Sequence, residues 1–335
     1  MTVCAEVSFD ELIEDAAARA GLRRTRGGGW KTRAGRGAVT LNVRRLPDGW
    51  LAFECAGRRA PSDEQLLREQ AAWLGPVKLQ RTPDAAEVRR VVELPLPDAQ
   101  RTFPSVSGHE LAESLEKELV EFFSDLFRWA TRCLGGSEVH TWEETVPLQM
   151  DRLANWLREG GYSPTYVSDS EVRLVLKRKG WDGDVRFCAG EGRLRAVMSL
   201  GFWPQLSRVS RHAMIALAME ANDRCRLCRI AIPPEANVDG QNQGGDHSEE
   251  YGRGATRRRE HTLALEAQFD LTGLPPITAD QPVRSAFGRE LLTAIVDAFR
   301  LNLCRLAVEL DVLAHNQELA GSILRHEGAE KPGAP

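Results

Sequence analysis

The chain has 335 residues, 42% of them hydrophobic and 27% charged, with a net charge of −4 and a pI of about 6.1. That length admits two domains with sizeable cores, and the composition reads as a soluble globular protein. The acid balance argues against a generally basic nucleic-acid binder, and no run of 18 apolar residues offers a membrane span.

The opening MTVCAEVSFDELIED is acidic where a secretion signal needs a positive start and an apolar core. Seven cysteines are dispersed at 4, 55, 133, 188, 225, 228 and 304. With no signal peptide expected, this odd set predicts reduced thiols and a cytoplasmic location.

In chain order, Ser8 to Leu22 predicts a helix with Ser8 and Glu11 as a capping box and Leu12, Ile13, Ala16, Ala17 and Ala20 as its buried stripe. Gly21 closes it. A weak strand at 30–33, an alternating strand at 38–46 and a returning strand at 50–55 follow, the last two joined by Pro47-Asp48-Gly49. Ser62 and Gln65 cap a second helix, which Gly75-Pro76 ends. Strands at 77–81 and 88–94 lead to a long helix over His109 to Leu134. Its expected seam is Leu111, Leu115, Leu119, Phe122, Leu126, Trp129 and Cys133.

The second half replays this order. A short helix at 150–159 stops at Gly160-Gly161, and strands follow at 165–167, 172–177, 185–189 and 194–200. A helix at 209–222, a strand at 224–232, a polar Gly-rich stretch and a strand at 261–269 come next. Last is Val283 to His315, with Leu292, Val296, Phe299, Leu303, Leu306, Leu310 and Leu313 at alternating spacings of four and three. That seam lasts three heptads and implies a helix about 50 Å long.

The expected fold class is therefore α+β. Two tandem units of order α-β(3)-α-β(2)-α each form a twisted antiparallel sheet covered by helices on one face. The first unit spans 1–136, a linker 137–149 and the second unit 150–320. The second unit carries a disordered insertion at 233–259, and 321–335 is a flexible tail.

Within the second half, a strand meander leads into a helix ending in AMEANDRCRLCRIAI, then a strand ending in QFDLTGLP, then the long helix. This order resembles the YbjN-type domain, which shares the fold of type III secretion chaperones. Asn222 stands where that family places an Asn near the end of the middle helix. The likeness covers roughly Met150 to Asn316; over Ala5 to Leu134 that Asn is missing. It implies a non-enzymatic fold whose better-known members bind extended segments of partner proteins as dimers. Duplication could supply such pairing within one chain.

No catalytic constellation, cofactor motif or metal-ligand set is expected: no GxSxG, HExxH or phosphate-loop pattern occurs. Cys225-Arg-Leu-Cys228 has CxxC spacing, but on a strand its thiols point to opposite faces and no second ligand pair stands nearby. His212, His247 and His261 flank that region, and His247 sits in a solvated acidic loop.

Arg23, Arg24 and Arg26, with Trp30 among them, form a basic turn that could hold single-stranded nucleic acid or be a solvated face. Arg257-Arg258-Arg259 is a second basic cluster. Phe202 and Trp203 follow a strand; exposed they make a binding anchor, and covered by the middle helix they are core. The two long helices are core or surfaces for self-association. These features predict a chaperone- or adaptor-like protein that binds a protein partner; the alternative is a nucleic-acid-binding module using the basic turn.

Overall fold

In a computed structural model of the chain, the described residues are 9–26, 29–34, 37–46, 50–55, 61–72, 77–82, 87–95, separate positions between 117 and 134, 150–178, 181–190, 193–225, 228–233, 262–270 and 292–330 apart from 294. The linker at 137–149 and nearly all of the insertion expected at 233–259 lie outside them. Two compact units emerge. One comprises Met1–Ala60, Leu74–Leu148 and Leu271–Leu292; the other comprises Pro61–Trp73, Gln149–Asp270 and Thr293–Pro335.

The first unit begins with α1 (Phe9–Arg19), whose Leu12, Ile13, Ala16 and Ala17 are buried at helical spacing. Gly21 adopts a left-handed φ of 80°, so that Leu22 N–H reaches the Ala17 carbonyl and Gly21 N–H the Ala18 carbonyl. This is a Schellman stop, and it needs a residue without a Cβ. Strands β1 (Arg23–Arg24), β2 (Trp30–Ala34), β3 (Gly37–Leu46), β4 (Trp50–Cys55), β5 (Lys78–Arg81) and β6 (Val88–Pro95) follow. They form an antiparallel sheet in the order β1-β2-β3-β4-β6-β5.

Four strands, not three, precede the middle helix. The extra one, β1, has two residues, too few to show alternation. Phe53 meets Phe127 edge-on at 5.3 Å, and Trp30 meets the same ring at 5.7 Å. The described positions between 117 and 134 are helical, and Phe123, Phe127, Ala130, Cys133 and Leu134 are buried. Of the expected seam only Cys133 is among the described residues.

The second unit contains α3 (Met150–Glu159), β7 (Thr165–Ser168), β8 (Glu171–Arg178), β9 (Trp181–Gly190), β10 (Arg193–Trp203), α4 (Arg208–Arg224), β11 (Arg229–Ala231) and β12 (Leu263–Asp270). Its sheet runs β7-β8-β9-β10-β12-β11, the same neighbour order as the first. The helix stop repeats as well. Gly161 has φ 84°, with Tyr162 N–H on the Leu157 carbonyl and Gly161 N–H on the Arg158 carbonyl. Shared topology and a shared cap establish two tandem α+β units on six-stranded antiparallel sheets.

One face of this second sheet is apolar. Val172, Leu174 and Leu176 of β8, Val185 and Phe187 of β9, Met198 of β10, and Leu265 and Phe269 of β12 are buried on it. The period-2 alternation of strands puts charged residues opposite them. The terminal helix packs on the buried side, and all seven residues of its seam are buried, Leu292 through Leu313. It is interrupted by a π-turn at Phe299–Leu303, where Cys304 N–H bonds back to the Phe299 carbonyl. The extra residue lets Leu303 and Cys304 both face inward.

Helix α5 (Cys304–His315) ends where expected. Asn316 takes an extended conformation, and its side chain accepts the Leu319 amide, starting α6 (Gln317–Glu330). Residues 321–330 of the expected flexible tail are thus helical.

Tyr162 ties the loop after α3 to the terminal helix, its hydroxyl donating to Asp297 at 2.7 Å. Burial, then the Asp297 carboxylate, push its phenol up to about 12. The protonated phenol is the form the fold favours. Stability from this contact is complete below pH about 10, where the unfolded tyrosine ionises, and is lost as pH rises toward about 12. Urea titrations across that window should show the decline in the parent chain and a flatter profile in Tyr162→Phe.

Helix α2 (Asp63–Ala72) stands between β4 and β5 in sequence, yet it belongs to the second unit. Its N-terminus is capped as expected, with Gln65 N–H on Ser62 Oγ at 3.3 Å. The helix packs against β11 and α4. The packing therefore departs from the linear division at 136 and 150.

Candidate interaction surface

Each outermost strand of a sheet has backbone groups with no neighbouring strand, and folds cover, charge or shorten such edges. The second sheet ends in β11 and β7. At β11, Ile230 N–H donates to Asn222 Oδ1 at 3.1 Å, and the Ile230 carbonyl accepts from Gln70 Nε2 at 3.0 Å. Asn222 Nδ2 then donates to Gln70 Oε1 at 3.2 Å. Two buried amide side chains, one from α4 and one from α2, thus stand in for a further strand. A third bond, from Ile232 N–H to the Leu67 carbonyl at 3.0 Å, continues the cover.

The helix that brings Gln70 is held by charge. Arg211 reaches Glu64 with Nη2 at 2.7 Å and Nε at 3.2 Å, while its Nη1 donates to the Thr262 carbonyl. The Arg211 hydrogen bonds, partly offset by burial, hold the Glu64 carboxyl below its usual range. The family resemblance drew attention to Asn222; nothing in the sequence singled out Gln70, near the end of the other middle helix.

The opposite edge differs. All four residues of β7 are exposed, including Tyr166 and Val167, and none carries a charge. The Tyr166 hydroxyl donates to Asp169, and the β7–β8 register shifts between Tyr166 and Ser168. The corresponding edge of the first sheet, β1, consists of two exposed arginines.

The predicted aromatic pair separates. Phe202 is 64% exposed and Trp203 7%. A bulge between Ser199 and Gly201 in the β10–β12 pairing resets the alternation just before them. The Trp203 indole lies over Gly201, where a Cβ would come within 2.4 Å of the ring, and its N–H donates to Asp311 at 3.2 Å. Trp203 is core; Phe202 stands in solvent.

The basic turn also separates. Arg23, Arg24 and Arg26 are exposed, Arg24 is paired with Glu14, and Trp30 turns its ring onto Phe127. Arg23 lies directly across from Lys31, so two cations share one end of the sheet. Cys225 and Cys228 are buried thiols. No group of three metal-ligating side chains occurs among the described residues. His247 and His261, and Arg257 to Arg259, lie outside those residues.

These elements define a tandem α+β protein whose second sheet has one edge closed by side-chain amides and one that no strand among the described residues covers. No helix among the described residues is long and apolar enough to cross a membrane. No family model matches the chain, and neither a curated protein nor a solved structure matches it.

Proposed function

We propose that this chain is a non-catalytic, chaperone- or adaptor-like protein of the YbjN type that binds an extended segment of a partner protein by strand addition at β7. The observation that carries this reading is the contrast between edges. Arginines blunt β1 and amides cover β11, whereas β7 exposes an uncharged backbone with Tyr166 and Val167. An edge of that kind is a template for a further strand, whose main chain supplies affinity and whose alternate side chains supply specificity. Phe202 adds an exposed aromatic to the same unit.

The test is Val167→Lys. Val167 is 48% exposed, so the substitution should leave the melting temperature within about 2 °C. It places on the edge the charge that natural sheets use against strand pairing. Affinity capture from the source cells, with and without nuclease, should recover a stoichiometric protein on the parent chain and lose it on Val167→Lys. Equal recovery on both would sink the edge reading. Recovery abolished by nuclease would shift the assignment to nucleic acid and the basic turn.

A further inference from the structure

The exposed face of the second sheet sets three arginines, Arg173, Arg186 and Arg195, around one cysteine among acidic neighbours. Arg173 of β8 lies directly opposite Arg186 of β9, and Arg195 of β10 lies between Cys188 of β9 and Asp270 of β12. Like charges placed across neighbouring strands repel. Arg173 is relieved by Glu171, at 2.5 Å, with Asp184 also near. Among the described residues no carboxylate pairs with Arg186. Arg195 gives one Nη to Gln268 Oε1 at 2.7 Å, and its buried Nε meets no acceptor.

All three guanidinium groups act on the half-buried Cys188 thiol between them. Burial and Glu171 push that thiol up, against the pull of the arginines.

We propose that this face takes an acidic, extended segment of the partner protein, with its carboxylates against Arg186 and Arg195 on either side of Cys188. The inference rests on the interaction reading above and names the chemistry of the segment. The surroundings select a peptide over a nucleic acid. Asp182, Asp184 and Glu266 share the face with exposed Val175 and half-buried Val197. A phosphate backbone, charged at every step, would run into those carboxylates. A peptide can set acidic residues at the arginines and uncharged ones elsewhere.

The experiment uses the full chain and three fluorescein-labelled probes: a peptide alternating Glu and Ser, its Gln-Ser counterpart, and a single-stranded oligothymidylate. Fluorescence polarisation should detect the Glu peptide, more weakly as salt rises, and not the Gln peptide. Arg186→Glu, an exposed position, should weaken it by about tenfold or more while the melting curve holds. Arg195→Lys keeps the charge and should weaken it less. The Glu peptide should also slow alkylation of Cys188, located by mass spectrometry.

Equal binding of the two peptides, an indifferent Arg186→Glu, or unprotected Cys188 overturns the proposal. So does oligothymidylate binding that Arg186→Glu abolishes. A captured partner lost on Val167→Lys but retained on Arg186→Glu would leave the edge reading standing and remove this one. A partner retained on both variants would remove both.

Discussion

Glu93→Ala should lower the stability of the first unit by about 3–5 kcal/mol. Lys78 Nζ lies 2.9 Å from Glu93 Oε2, and both side chains are almost wholly buried. Removing the carboxylate takes the Glu93 partner from an ammonium in a place that water hardly reaches. The paired variant Lys78→Met with Glu93→Leu takes both charges away and fills the space with similar volume. It should recover most of the loss and could exceed the parent, because the pair no longer has to be desolvated. Urea unfolding of the parent, the single and the double variant checks this. A double variant as weak as the single one would show that the site needs polarity and not merely pairing.

Asn222→Ala should cost about 2–4 kcal/mol in the second unit, through lost bonds of which two close the sheet edge. One is the acceptor for Ile230 N–H, the other the donor to Gln70 Oε1. Here a matching second change does not rescue. Ile230 is backbone, so Asn222→Leu with Gln70→Leu still leaves its N–H and carbonyl unmet inside the protein. The double variant should instead cost less than the sum of the two single ones by about 1 kcal/mol, the share of the Asn–Gln bond counted twice. Hydrogen exchange at the Ile230 amide should speed up in each variant. Additive losses with an unchanged Ile230 amide would mean that the edge is closed by something else.

The contrast between these sites shows what the sequence carried. Alternation at Val172, Leu174 and Leu176, the seam from Leu292 to Leu313, the Ser62 cap and the stop at Gly21 were legible because each is a local rule acting on neighbours. The pairing of Lys78 with Glu93 was not. A lysine at the start of an edge strand reads as solvent-facing until tertiary packing covers it. Likewise the bulge before Gly201 separates Phe202 from Trp203, and no composition signal marks a register shift. The π-turn at Phe299–Leu303 left no trace either, since its residues suit an ordinary helix. Of the candidate site, the aromatic pair and the basic turn could be named. The bare edge at β7 could not, because whether a strand ends a sheet is a property of topology.

The placement of α2 has a consequence for how this molecule can be dissected and how it can change. A fragment beginning at Met150 would hold a complete six-stranded sheet by strand count, yet it would lack Gln70, Leu67 and Glu64. Its β11 would then be an adhesive border, and the fragment would be prone to pair with its own copies. The duplicated halves are therefore not interchangeable modules joined by a tether. Gln70 and Asn222 close one edge together, so a substitution at either position is felt at the other.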